Sequence, residues 1–165
     1  MHRLSRADFE AALGVILSIG FVSGISSSME YNFLLAPFGA TSVIAFLTHD
    51  SQFAAPKNIL CGYLITSVTG VAVAFLLGHS WWTYAFGVAA AMLLKKACNT
   101  VHPPSAAMPI LLISIDEKSL LHFALESVLP GLLVLVLTAI VYNRYLLKNG
   151  YPLWSFKAQR VKNAT

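Results

Sequence analysis

Charge is what this sequence has least of: Asp, Glu, Lys and Arg make up 11% of its 165 residues, where a soluble domain carries roughly a quarter. With 57% hydrophobic residues against that small polar share, a soluble fold is excluded and an integral membrane protein is implied. Cysteine is nearly absent. Cys61 and Cys98 have no CxxC or Cys/His partner at metal-ligand spacing and are expected to be small core residues. Gly-x-Ser-x-Gly, His-Glu-x-x-His and P-loop signatures are missing too. His49, His79 and His122 show no i, i+4 pairing with one another or with a carboxylate pair, so neither enzyme, cofactor nor metal site is expected. The basic excess of +4 gathers at the chain ends with no stacking aromatics in a folded basic face. It therefore speaks of membrane topology, not of nucleic acid.

What is present is a succession of apolar runs. The first, Phe9 to about Ser28, has the ~20 residues needed to cross a hydrocarbon core. Asp8 and Glu10 interrupt its basic start and the apolar run Ala11 to Ile25 has no small-x-small exit site, so it reads as a retained span rather than a cleaved leader. Its Gly20-x-x-x-Gly24 spacing supports close helix packing. Further full spans are expected over Asn58 to Gly78, Thr83 to about Lys96, and Leu120 to about Tyr142, the last kinked at Pro130. Two apolar segments are too short to span alone, and each opens on proline: Pro37 to about Thr48, and Pro103 to Ile115. Proline suits the first helical position, and the amides after it point back along the axis as an anion-attracting end.

An offset of 66 residues lays one half of the chain on the other. Pro37 meets Pro103, Ala40 meets Ala106, Ile44 meets Ile110 and Asp50 meets Asp116. The expected architecture is therefore all-α, with four long transmembrane helices and two short proline-started half-helices. They form two three-segment repeats, about 9–78 and 79–146, within a transmembrane domain 1–146. A basic and aromatic cytoplasmic tail, 147–165, is expected to lie on the membrane surface with Tyr151 and Trp154, together with Tyr142 and Tyr145 just before it. If the short segments cross together with their extended lead-ins, only Lys118 faces outward. Arg3, Arg6, Lys57, Lys95, Lys96, Arg144, Lys148, Lys157, Arg160 and Lys162 then stay inside, which the positive-inside rule favours over re-entrant segments. Three crossings per repeat is an odd number, so the repeats would be inverted and the two proline-started helices would approach the midplane from opposite sides. The expected location is the inner (plasma) membrane, multi-pass, with both termini cytoplasmic.

At Thr100-Val101-His102-Pro103-Pro104-x-Ala106 the sequence resembles the HPP family of small integral membrane proteins. Pro37-Phe38-Gly39-Ala40 and Pro56-Lys57-Asn58 with Gly62 extend the match in the family's usual order, over roughly residues 30 to 145. The resemblance implies a permease-like fold with four transmembrane helices, and nitrite as a transported anion, since some members are linked to it. The sequence departs at Ser105-Ala106-Ala107-Met108, where a glycine-containing continuation is common.

The expected function is a channel or transporter for a small inorganic anion, bound between two half-helix N-termini near the bilayer midplane. The lining would come from His102, Pro103, Pro104, Ser105, Ala106, Asn99 and Thr100 on one side, and from Pro37, Phe38, Gly39, Ala40, Thr41 and Ser42 on the other. His102 either donates to the anion or closes the unwound backbone onto a carbonyl of the other half. Lys95 and Lys96 form an anion-attracting vestibule or serve as snorkelling interface anchors. Glu126 carries a coupling proton or stays hydrated at the outer interface. The partners expected are the lipid bilayer, a small anion and further copies of the chain in a homo-oligomer. The alternative is a non-transporting scaffold or sensor that binds lipid or a partner helix.

Overall fold

The computed structural model describes residues 3–29, 34–115 and 120–152, and every regular element among them is helical. The expectations for the lead-in at 30–33, the turn at 116–119 and the tail at 153–165 fall outside the described residues. Helix α1 (Arg6–Ser27) opens on a reciprocal cap: the Asp8 amide donates to Ser5 Oγ at 3.3 Å, and the Ser5 amide donates to Asp8 Oδ2 at 2.7 Å. Helix α2 (Ala36–Leu47) and α3 (Pro56–Leu77) have proline in the first turn, as does α5, a 3-10 stretch Pro103–Ala107 that continues into Met108–Ile113. Helix α4 is Trp81–Ala97. The last helix, α6, begins at Leu120–Phe123, widens through Ala124–Val128, continues as Leu129–Val141 and widens again over Tyr142–Leu147. Its first wide turn comes just before Pro130, whose missing amide breaks the regular ladder, so the irregularity expected there takes this form.

Three of these helices are long and apolar enough to cross a membrane: Arg6–Ser27, Pro56–Leu77 and Ala124–Leu147. Helix α4, expected as a fourth long span, has 17 residues, about 25 Å at ~1.5 Å each. It is cut short at Cys98-Asn99-Thr100. Asn99 takes a left-handed φ of 52°, the Thr100 amide returns to the Lys95 carbonyl at 3.0 Å and the Asn99 amide to Lys96 at 3.2 Å. This double closure needs a residue at ease in that conformation, and asparagine is the commonest after glycine. Asn99→Gly is therefore expected to leave thermal stability unchanged or raise it slightly, whereas Asn99→Val lowers it by about 1–2 kcal/mol, as read by thermal unfolding in detergent.

Side-chain bonds fix the order of the helix ends. Tyr142 Oη donates to the Glu10 carbonyl at 2.8 Å, Asn143 Nδ2 to Ala45 at 3.2 Å and Tyr151 Oη to Ala54 at 2.9 Å. The start of α1, the end of α2, the start of α3 and the end of α6 thus share one pole. At the other pole His79 Nδ1 meets the Ile113 carbonyl, joining the turn after α3 to the end of α5. It follows that α3 and α6 are antiparallel, with α2 running alongside α6 and α5 alongside α3. Every described Lys and Arg belongs to the first pole: Arg3, Arg6, Lys57, Lys95, Lys96, Arg144 and Lys148.

Close approach between α3 and α5 comes from glycine. A Cβ on Gly70 would stand 2.9 Å from Pro109 Cα, and one on Gly62 3.0 Å from His102 Cβ. The core around them holds Phe38, Ile59, Tyr63, Met108, Leu112 and Leu135, while Leu64, Val68, Phe86, Leu93, Leu133 and Leu137 face outward, as lipid-facing helices require. Two of the aromatics expected on the surface belong to the core instead. Tyr142 packs edge-on against Phe46, and Tyr151 is buried over Ala54. Burial pushes the Tyr151 phenol well above its ordinary range, so it remains a donor. Cys98, expected in the core, is exposed because the closing turn of α4 carries it outward; Cys61 is half-buried.

Candidate functional site

The starts of the two short helices are joined through side chains. Leu35 enters α2 with extended dihedrals (φ −109°, ψ 139°), and His102 enters α5 in the same way (φ −130°, ψ 107°). His102 directly precedes Pro103 and is held out of the helical region by it, whereas Leu35 stands one residue further out, before Ala36 and Pro37; each lead-in leaves backbone that helix bonds do not satisfy. Side chains take over that role. Ser105 Oγ donates back to the His102 carbonyl at 2.8 Å, and Lys95 Nζ donates to the same carbonyl at 3.1 Å and to Ser105 Oγ at 3.1 Å.

His102 is fully buried. Its Nδ1 lies 2.7 Å from the Phe53 carbonyl, which only accepts, so the Nδ1 proton belongs there. In the neutral ring Nε2 then accepts from Thr41 Oγ1 at 2.9 Å, while Thr41 Oγ1 is 2.8 Å from Tyr63 Oη and 3.0 Å from the Pro37 carbonyl. Tyr63 also stacks at a tilt on the imidazole and edge-on against Phe38. One contact thus links α2, α3, the Phe53 turn and the α5 lead-in. His102 lies level with Gly62, which follows Pro56 by six residues in α3, or about 9 Å of helix rise. The cluster therefore sits nearer the basic pole than the opposite one.

Lys95 is 3% exposed. The expectation that it snorkels to the interface is overturned: its stem turns inward because α4 ends there and the His102 carbonyl lies within reach. No carboxylate stands at ion-pair distance from it among the described residues. Beside it Thr100, also 3% exposed, has a buried Oγ1 with no hydrogen-bond partner.

Of the residues expected to line a site, the fold gathers His102, Ser105, Thr100, Thr41 and Phe38, with the Pro37 carbonyl, around Tyr63 and Lys95. Ser42 is buried but donates to its own helix, to Gly39 at 2.8 Å. Gly39, Pro104 and Ala106 are half-buried, and Pro103, Ala40, Asn99 and Lys96 are exposed. Glu126 stands apart on the first turns of α6, 2.8 Å from His122 and one-third exposed. That i, i+4 contact with a single carboxylate escaped the sequence expectation, which considered only carboxylate pairs.

Three contributors had weak sequence signals. Tyr63 is the one tyrosine inside the Asn58–Gly78 run, and Gly62 beside it marks a close approach. Asn143, fully buried, bonds the Ala45 and Ala139 carbonyls and accepts from Asn149 at 2.7 Å; an amide inside an apolar run is its only advance notice. Asn58 Nδ2 holds the Gln52 carbonyl at 2.8 Å and so fixes the turn that presents Phe53.

A family model for the transmembrane region of HPP proteins matches residues 3–152. Two transmembrane proteins of Dictyostelium discoideum are similar to the chain. One is 27% identical over 146 residues, covering 85% of this chain and 50% of that protein. The other is 25% identical over 136 residues, covering 79% and 44% respectively. The chain thus spans about half the length of the curated relatives it matches. No solved structure matches it.

Proposed function

Because the chain belongs to the HPP transmembrane family, we propose that it is a membrane channel or transporter for a small inorganic anion, with nitrite as the anion the family resemblance suggests. The observation that carries this reading is the buried polar junction of Thr41, Tyr63, His102, Ser105, Thr100 and Lys95, at a depth where lipid satisfies no polar group. Irregular backbone inside a bilayer is a recurrent feature of transporter binding sites. The anion would bind where the two half-helix starts meet, nearer the basic pole than the opposite one. Exposed Lys96 and the Asn99–Pro103 turn would form its entrance.

The packing scheme supports an inverted repeat. Exchanging α1 with α4, α2 with α5 and α3 with α6 preserves the neighbour relations, α2 beside α6 answering α5 beside α3. The two short helices also end alike: Thr48 Oγ1 donates to Ile44 at 3.1 Å, and Ser114 Oγ to Ile110 at 2.7 Å, at positions matched by the 66-residue offset. In this reading each half crosses three times, and the basic pole is cytoplasmic, with both termini on that side.

The non-transporting scaffold is favoured by one observation, that both His102 ring nitrogens are already bonded within the protein. Uptake into proteoliposomes separates the two readings. Transport predicts saturable entry of labelled nitrite or another small anion above protein-free vesicles; no uptake of any small anion overturns it.

A further inference from the structure

Lys95 is an ammonium group almost wholly removed from solvent, and its two printed partners are neutral oxygens, the His102 carbonyl and Ser105 Oγ. Burying a cation is costly unless a counter-charge accompanies it, and among the described residues no carboxylate supplies one. Of the other titratable groups at this junction among the described residues, His102 and Tyr63 are engaged with Thr41, and the neighbouring Lys96 is exposed. Proton counting then leaves two unspent donors. The ammonium has three protons, and two of them point to His102 and Ser105. The Ser105 proton goes to the His102 carbonyl, but the Thr100 hydroxyl, buried beside the same turn, has no acceptor. The Thr100 amide bonds the Lys95 carbonyl at 3.0 Å, and the Thr100 carbonyl, Ser105 Oγ and His102 Cβ pack around Gly62, at 3.3, 3.3 and 3.0 Å from where its Cβ would be, so the turn that carries Thr100 and both partners of Lys95 lie against one point of α3.

The geometry points to Lys95 as the residue that compensates the anion's charge, with Thr100 Oγ1 as its second donor. One positive charge and two donors define the ligand class as a small monovalent anion that accepts from both. A divalent oxyanion such as sulfate would bring one negative charge too many. The assignment rests on the anion-transport reading for its physiological meaning, but it is a statement about binding and has its own readout.

The test uses the full chain in detergent or nanodiscs, with thermal unfolding followed against sodium nitrite and, at matched ionic strength, sodium sulfate; uptake is measured in parallel. Thr100→Val removes a hydroxyl that makes no bond in the protein, so without anion it should melt at or above the wild-type temperature. In nitrite its half-saturating concentration should rise roughly tenfold. Lys95→Gln should abolish the nitrite-dependent shift, and sulfate should give none with any variant. Half-saturation by Thr100→Val within twofold of wild type overturns the assignment even if Lys95→Gln fails to fold, since Lys95 is then a strut for the His102 carbonyl. Nitrite uptake with no nitrite-dependent stabilisation also overturns it and leaves transport standing. Stabilisation without uptake by the wild-type chain does the reverse.

Discussion

Replacing His102 with alanine is expected to destabilise the protein by about 3–5 kcal/mol, chiefly as a large-to-small core substitution, with a further loss of the donor to a part-buried carbonyl. The imidazole is fully buried and bridges parts of the chain far apart in sequence, Phe53 on one side and Thr41 on the other. Its loss leaves a cavity against Tyr63 and takes the donor from the part-buried Phe53 carbonyl. Since whole domains are stable by only about 5–15 kcal/mol, much of the purified variant should aggregate or melt near ambient temperature. Size-exclusion profiles and thermal unfolding of the detergent-solubilised protein would measure this. His102→Gln, whose amide can still donate to Phe53, should fall between the two. Equal stability of all three would show that the junction contributes nothing to the fold.

Gly70→Val is expected to cost about 3 kcal/mol or more. A Cβ at this position would stand 2.9 Å from Pro109 Cα and 3.1–3.2 Å from Leu112. The first of those neighbours is backbone, so α5 must move off α3 for the side chain to fit. Even Gly70→Ala should destabilise, because the ~1 kcal/mol that alanine gains over glycine in a helix is smaller than the overpacking term of about 1–3 kcal/mol. Gly20 and Gly24 on α1 have open space around the missing Cβ, so alanine there should be neutral or stabilising. The contrast is read in unfolding temperatures. An equally benign response at Gly70 would mean that the α3–α5 contact is looser than the distances state.

The elements with strong local chemistry were legible before any coordinates. Pro37 and Pro103 both open short helices, because a proline's missing amide has only one comfortable place in a helix. His102 was identified as either a ligand donor or a clasp between the halves, and the fold gives it contacts of the second kind. What escaped were properties fixed by tertiary neighbours. Lys95 and Lys96 are adjacent and alike in sequence, yet one is buried and the other exposed, because successive helix positions point about 100° apart and only Lys95 faces α5. Asn99 drew attention as a polar lining residue but acts through its backbone, a role that side-chain type alone does not announce. Tyr142 and Tyr151 looked like interfacial aromatics. Their hydroxyls instead tie the end of the chain to Glu10 and Ala54, bonds between residues about a hundred or more positions apart that no local pattern encodes.

The Thr41 hydroxyl has a single proton and two acceptors in range, the Pro37 carbonyl of its own helix and Nε2 of His102 across the junction. When the proton points across, the two halves of the molecule are stitched together through it, with Tyr63 donating in behind. When it points home, the stitch is undone unless the imidazole brings a second proton to Nε2. This one link between α2 and the α5 lead-in is therefore set by the rotation of one O–H bond, a motion that displaces no heavy atom, while the Nδ1 bond to the Phe53 carbonyl holds in either state.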